Sequence, residues 1–296
     1  MRIKFFKVAL IAAILFISGA VAAQNSDSLA IVDGDWNVTS IRDGIVLKQI
    51  KFECDELFNS NQCITVLEVD KKIISKGKDA ISFGIVADKK LVTPENFAKN
   101  KGALIALNGS FFAMGRPYNS VDYIRVNGEE LAPNVFLEEN ERLFHQEGAV
   151  VINKGKLSIE EPRATKKYSI LEWERGVKAD DILTSGPLLI LDGKNIELKD
   201  ISHVNKRHPR TAVALKNNGT VCLIAVDGRN KEAAGMSLIE VQKVFSWLGA
   251  RDLLSLDGGG STSLYIKGQG VVNHPSDNKI FDNNGARTVA NAIIVY

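Results

Sequence analysis

Apolar and polar positions alternate in short bursts through most of the chain, and turn signals end many of them. Val126-Asn-Gly-Glu129, Ile152-Asn-Lys-Gly-Lys156, Leu191-Asp-Gly-Lys194, Lys216-Asn-Asn-Gly-Thr220 and Ile266-Lys-Gly-Gln-Gly270 each join two apolar or β-branched runs, the pattern of tight hairpins. The period becomes helical from Ser237 to Leu248, where Leu238, Val241, Val244, Phe245 and Leu248 share one stripe. Ser237-x-x-Glu240 is a capping box at its start, and Gly249 closes its end. A shorter helix is expected from Pro94 to Asn100 behind a Thr93 cap. A third is expected within Thr165 to Lys178, although Gly176 interrupts the pattern there. No period of 20 to 50 residues repeats, which excludes a solenoid or propeller. The expected class is α+β: a large, mainly antiparallel sheet carrying two or three packed helices.

The first residues read differently. Arg2, Lys4 and Lys7 precede an apolar run from Val8 to Ala23, and Val21-Ala22-Ala23 offers small residues for cleavage before Gln24. Residues 1–23 are therefore expected to be a signal peptide, 24–62 an N-terminal extension of strands, and 63–296 the functional domain. A secreted or periplasmic location follows, with no membrane anchor after cleavage, because the run is shorter than the roughly 20 residues a spanning helix needs. Of 37 basic residues, three lie in this leader, leaving 34 against 35 acidic ones. That balance gives no reason to expect nucleic acid as a partner.

Export changes how the cysteines read. Cys54 and Cys63 flank a polar stretch and are expected to form a disulfide, whereas Cys222 lies in an apolar run and is expected to be free and buried. The histidines at 145, 203, 208 and 274 show no zinc spacing, so no metal and no cofactor is expected.

Candidate chemistry gathers where strands end. Four aspartates precede glycine after an apolar residue: Asp33, Asp192, Asp227 and Asp257. Asp192 sits in a hairpin, and Asp33 lies near the mature N-terminus. Asp227 instead leaves the run Val221–Val226 for a polar loop that leads to the capped helix, the kind of position where catalytic groups are displayed. Asp257 is followed by Gly258, Gly259 and Gly260, then Ser261, Thr262 and Ser263. Successive amides with three hydroxyls suit a cradle for phosphate oxygens. Asn108, after the run Ile105–Leu107, and Arg210, at the entry to another run, complete a set suited to an anionic, hydroxylated ligand.

Eight segments fall in order along the chain: Asn108-Gly-Ser-Phe-Phe112, Ser185-Gly-Pro187, Pro209-Arg-Thr-Ala212, Val226-Asp-Gly-Arg229, Gly235-x-Ser-Leu-x-Glu240, Leu256-Asp-Gly-Gly-Gly-Ser261, His274-Pro-Ser-Asp277 and Arg287-x-Val-Ala-Asn291. In this order they resemble the phosphodiester glycosidase family over roughly Cys63 to Tyr296, with Ser110 standing where a second glycine is expected. The resemblance implies hydrolysis of the sugar C1–O bond of a sugar-1-phosphodiester or phosphorylated glycan, releasing sugar and a phosphomonoester. It implies Asp257 and Asp227 as catalytic carboxylates, Arg210 with Gly258 to Ser263 as the phosphate site, and Asn108 as a sugar ligand. Asp277 and Arg287 are second-line candidates. Three rivals stand beside this reading: a serine hydrolase using Ser261, which lacks the final glycine of a nucleophile elbow; a phosphodiesterase cutting P–O; and a non-catalytic envelope protein binding phosphoglycans.

Overall fold

A computed structural model describes residues 26–74, 80–135 and 142–296. The expected signal peptide lies outside these residues. Among the described residues no helix is long and apolar enough to cross a membrane.

The strands form three sheets in which every pairing is antiparallel. The largest has eight strands in the order Asn37–Arg42, Ile45–Leu57, Ser60–Val69, Val221–Val226, Arg210–Lys216, Ala250–Ser255, Leu188–Leu191 and Lys194–Asn195. A five-stranded sheet runs Glu129–Ala132, Ile124–Val126, Asp181–Ser185, Gly148–Asn153 and Lys156–Glu160. The other runs Gly270–Val271, Leu264–Ile266, Ile105–Asn108, Val289–Val295 and Phe83–Val92. The boundary expected between residues 62 and 63 falls inside the strand Ser60–Val69, which pairs on both sides within the large sheet.

All five expected hairpins are present, and all three sheets contribute to one core. Leu67, Val213 and Leu223 of the large sheet meet Val150 and Leu183 of the second and Leu107 and Ile293 of the third. The strand Val221–Val226 shows why its sequence is apolar throughout. Val221, Leu223 and Ala225 face that shared core, while Cys222, Ile224 and Val226 face the helix on the other side. The helix Leu238–Trp247 buries Leu238, Val241, Val244 and Phe245 against this outer face. The shorter helix, Pro94–Lys101, packs Phe97 and Ala98 on Ala106 and Ile294 of the third sheet. The third expected helix is reduced to one turn, Trp173–Gly176, after a 3-10 turn at Ile170–Glu172. The α+β class with a mainly antiparallel sheet is as expected.

Ser237 and Glu240 close the capping box reciprocally, at 3.2 Å from the Glu240 N–H to Ser237 Oγ and 2.8 Å from the Ser237 N–H to Glu240 Oε2. Glu240 also pairs with Arg207 at 2.6 Å, tying this helix to the loop before Arg210. Ser237→Ala is expected to lower unfolding free energy by about 1 kcal/mol with an unchanged urea m-value.

Candidate active site

Three neighbouring strands of the large sheet deliver the central residues. Arg229 follows Val221–Val226, Arg210 opens Arg210–Lys216, and Asp257 follows Ala250–Ser255. With Phe111, His203, His208, Gly258, Gly259, Gly260 and Arg287 they line an open pocket of about 250 Å³.

The main chain of Asp257 is held on both sides. Its N–H donates to the Gly109 carbonyl at 3.0 Å, and its own carbonyl accepts from Asn108 Nδ2 at 2.6 Å. Burial pushes its carboxyl pKa up to about 7. Ser261, Arg287 and Arg229 pull it back, and Asp122 adds to the rise. Asp122 is itself fully buried, with burial raising its pKa to about 6 against the opposing pull of His145, 2.6 Å away. His145, Phe144, Phe111 and His203 pack ring against ring, making one wall aromatic. Burial and the Arg210 charge lower the His203 pKa to about 4, so its imidazole is neutral near pH 7.

The glycine run is dictated by close approach. A Cβ on Gly258 would meet the Pro209 carbonyl oxygen at 2.7 Å. Gly259 has φ +61° and would meet Arg229 Nη2 at 3.0 Å; at Gly260 a Cβ would lie 2.5 Å from Arg287 Nη2. Two guanidinium groups therefore rest against bare backbone. Arg229 itself has φ +61°, an uncommon conformation for a side-chain-bearing residue, and this local strain marks the loop as specialised. Arg287 is oriented by Asp277 at 2.5 to 3.0 Å.

Several expected site residues have other duties. Arg210 is 2% exposed, and its guanidinium is largely committed to main-chain carbonyls: Nε to Met236, and Nη2 to both His203 and Lys206. It thus lines the pocket while stapling these segments to its wall, and burial and Arg229 lower its pKa to about 10. Asn108 is fully buried, with Oδ1 accepting from Thr211 Oγ1 and the Ser263 N–H and Nδ2 donating to Asp257. It ties three loops together rather than facing a sugar.

Ser261, Thr262 and Ser263 are buried; the Thr211 and Thr262 hydroxyls hydrogen-bond to each other at 3.1 Å, and only Gly258 to Gly260 of the expected cradle line the pocket. Asp227 points away from the pocket lining. Its Oδ1 accepts from Asn273 Nδ2 and the His274 N–H, and its Oδ2 lies 2.8 Å from His274 Nδ1. The expected Cys54–Cys63 disulfide is absent: both thiols are free, Cys54 exposed and Cys63 buried, with Cys222 free and buried as expected. Ser110 also faces inward, its N–H donating to Asn291 Oδ1 at 2.7 Å.

The residues that sequence reasoning missed are Phe111, His203, His208 and Arg229. Arg229, His208 and Phe111 stand within or beside quoted motifs and carry suitable chemistry, whereas nothing around His203 marks it.

A carboxyl whose folded pKa lies above its unfolded value costs stability once it must ionise in the folded protein. For Asp257 that cost grows as pH rises from the ordinary 3.8 to about 7 and is then fully present. Asp257→Asn is therefore expected to raise urea resistance at pH 8, with the gain vanishing towards pH 4. A loss at pH 8 would contradict the desolvated carboxyl.

A sequence model of the phosphodiester glycosidase family matches residues 101–296. The chain is 26% identical over 201 residues to N-acetylglucosamine-1-phosphodiester alpha-N-acetylglucosaminidase of Bos taurus, covering 66% of this chain and 37% of that protein. It is 29% identical over 113 residues to an uncharacterized SPbeta prophage-derived protein, YomE, of Bacillus subtilis, covering 35% of this chain and 17% of the relative. The chain thus spans well under half the length of either curated relative. In structure it is similar to the zebrafish N-acetylglucosamine-1-phosphodiester alpha-N-acetylglucosaminidase catalytic domain auto-inhibited by pro-peptide, with TM-score 0.64, 17% identity, and coverage of 88% of this chain and 87% of that one. A hypothetical protein from Synechocystis has TM-score 0.57 at 17% identity, covering 88% of this chain and 63% of its own. These structural likenesses speak for the fold. The match over residues 101–296, most of the chain, shows that it belongs to the phosphodiester glycosidase family.

Proposed function

We propose that this chain is an exported hydrolase that cleaves the C1–O bond of a sugar-1-phosphodiester and leaves a phosphomonoester. The observation that carries the reading is the carboxyl of Asp257, with a pKa of about 7, in a pocket shared with Arg229 and Arg287. The two guanidiniums receive the phosphodiester, and the lack of side chains at Gly258 to Gly260 lets its oxygens approach the backbone, although the Gly259 N–H is held by the Pro209 carbonyl at 2.8 Å. The aromatic wall around Phe111 receives the sugar face.

A phosphate leaves far more readily than an alkoxide, so catalysis falls mainly on the sugar carbon and the attacking water. As the C1–O bond breaks, its electron pair stays with phosphate, where Arg229 and Arg287 neutralise the developing charge. The water oxygen bonds to C1, and its proton passes to ionised Asp257. A base with a pKa near the working pH combines a useful ionised fraction with useful basicity. Neutral His203 adds a hydrogen-bonding edge without repelling the cationic sugar carbon.

The test is turnover of sugar-1-phosphodiesters in oxygen-18 water: label in the released sugar supports C–O cleavage, whereas label in phosphate shows P–O cleavage. Binding without turnover across a panel of sugars and anomers would favour the non-catalytic reading. In the active protein, Asp257→Asn is expected to lower kcat about 10²- to 10⁴-fold with little change in substrate affinity. Arg229→Ala and Arg287→Ala are each expected to reduce kcat/KM by about 10- to 100-fold through weaker binding and slower departure. Export is checked by N-terminal sequencing of the protein from its producing cell, which should begin near Gln24; a chain still starting at Met1 would contradict it.

A further inference from the structure

Away from the pocket, three side chains from separate segments converge on one point. Cys63 lies on the strand Ser60–Val69, Asp227 at the end of the adjacent strand Val221–Val226, and His274 in the loop after Gly270–Val271. The Asp227 N–H donates to the Cys63 carbonyl at 3.0 Å, so the two residues sit opposite each other across the strand pair. Their ligand atoms and that of His274 all lie within 4.8 Å of one another. Cys63 Sγ is 4.0 Å from His274 Nδ1, and Asp227 Oδ2 is 2.8 Å from that same nitrogen.

The shared nitrogen decides between two chemistries. In a nucleophile–base–acid relay the thiol and carboxylate occupy opposite ring nitrogens, so that a proton can pass through the imidazole. Here both face Nδ1, so the groups surround a point instead of forming a chain. We propose that Cys63, Asp227 and His274 form a mononuclear site for a divalent cation of the zinc class, held by one thiolate, one carboxylate oxygen and one imidazole nitrogen.

The surroundings support a built site. Asp227 is fully buried and Cys63 is 6% exposed. The remaining carboxylate oxygen, Oδ1, is fixed by Asn273 Nδ2 and the His274 N–H at 3.0 and 2.8 Å. The His274 ring is stacked on Phe281 at 3.9 Å and 13°, which fixes its plane. Outer partners of this kind hold metal ligands in orientation before the ion arrives. His274 keeps 24% side-chain exposure, giving solvent a route to a fourth position. Sulfur, nitrogen and oxygen together favour zinc over the harder calcium and magnesium ions. On binding, the Cys63 thiol proton is released and the proton at Nδ1 is exchanged through solvent to Nε2, so net uptake of the cation frees one proton. The ion would tie the loop carrying Asp277 and Arg287 to the end of the Asp227 strand, whatever reaction the pocket performs.

The test uses the reduced full chain titrated with cobalt(II) and zinc(II). Cobalt should bind one per chain at micromolar concentration and give a thiolate-to-cobalt charge-transfer band together with the intense visible absorption of tetrahedral coordination. Zinc should displace it and raise Tm. Cys63→Ser and His274→Ala should each weaken binding by about 100-fold or more and abolish the charge-transfer band or the tetrahedral spectrum respectively, while Cys54→Ala leaves both unchanged. Absence of a thiolate band in the wild-type protein would overturn the site without requiring either variant to fold. So would a band that survives in folded Cys63→Ser.

Discussion

A carboxyl taken out of water beside guanidinium groups sets the terms for the rest of the site. Ionised Asp257 needs nearby cations, yet each large cation must approach the same short loop. The chain meets this by removing side chains where the guanidiniums rest. A Cβ at Gly259 would crowd Arg229, and one at Gly260 would crowd Arg287. Balance between burial and these charges leaves the carboxyl poised near neutral pH, as neither an ordinary solvated aspartate nor a permanently protonated acid would be.

Rigid support for that balance comes from residues whose polar groups are spent on the surrounding main chain. Asn108 draws Asp257, Thr211 and Ser263 together, and Arg210 stitches the His203–Lys206 and Met236 segments to the pocket wall. Both carry polar chemistry because they must satisfy main-chain groups where three loops meet inside the protein. Asp227 does comparable work nearby, holding the Asn273–His274 turn with both carboxylate oxygens. The loops can thus remain irregular while the strands beneath them fix their starting points.

Hairpins and helices were legible because their signals are local. Asn127-Gly128 prescribes a tight turn, and the Ser237–Glu240 capping box prescribes a helix start, without help from distant residues. The polar residues at strand ends were equally visible, but not the direction of their side chains. Asp227 and Asp257 both precede glycine after an apolar strand, yet Asp227 turns towards Asn273 while Asp257 lines the pocket. That choice depends on how the sheets pack. The expected Cys54–Cys63 disulfide failed for a related reason: closeness in sequence says little about direction, and Cys63 is directed towards His274. His203 reaches the aromatic wall through a short helix, Ser202–Asn205, that has no distinctive pattern of its own.

The central claim, that Asp257 is a desolvated carboxyl poised for proton transfer at the sugar carbon, is tested most directly by following its carboxyl carbon by NMR across pH. The account predicts a midpoint near 7 that coincides with the rising limb of kcat/KM, activity increasing as the group loses its proton. A midpoint near the ordinary aspartate value, or a rising limb unrelated to the Asp257 titration, would contradict it.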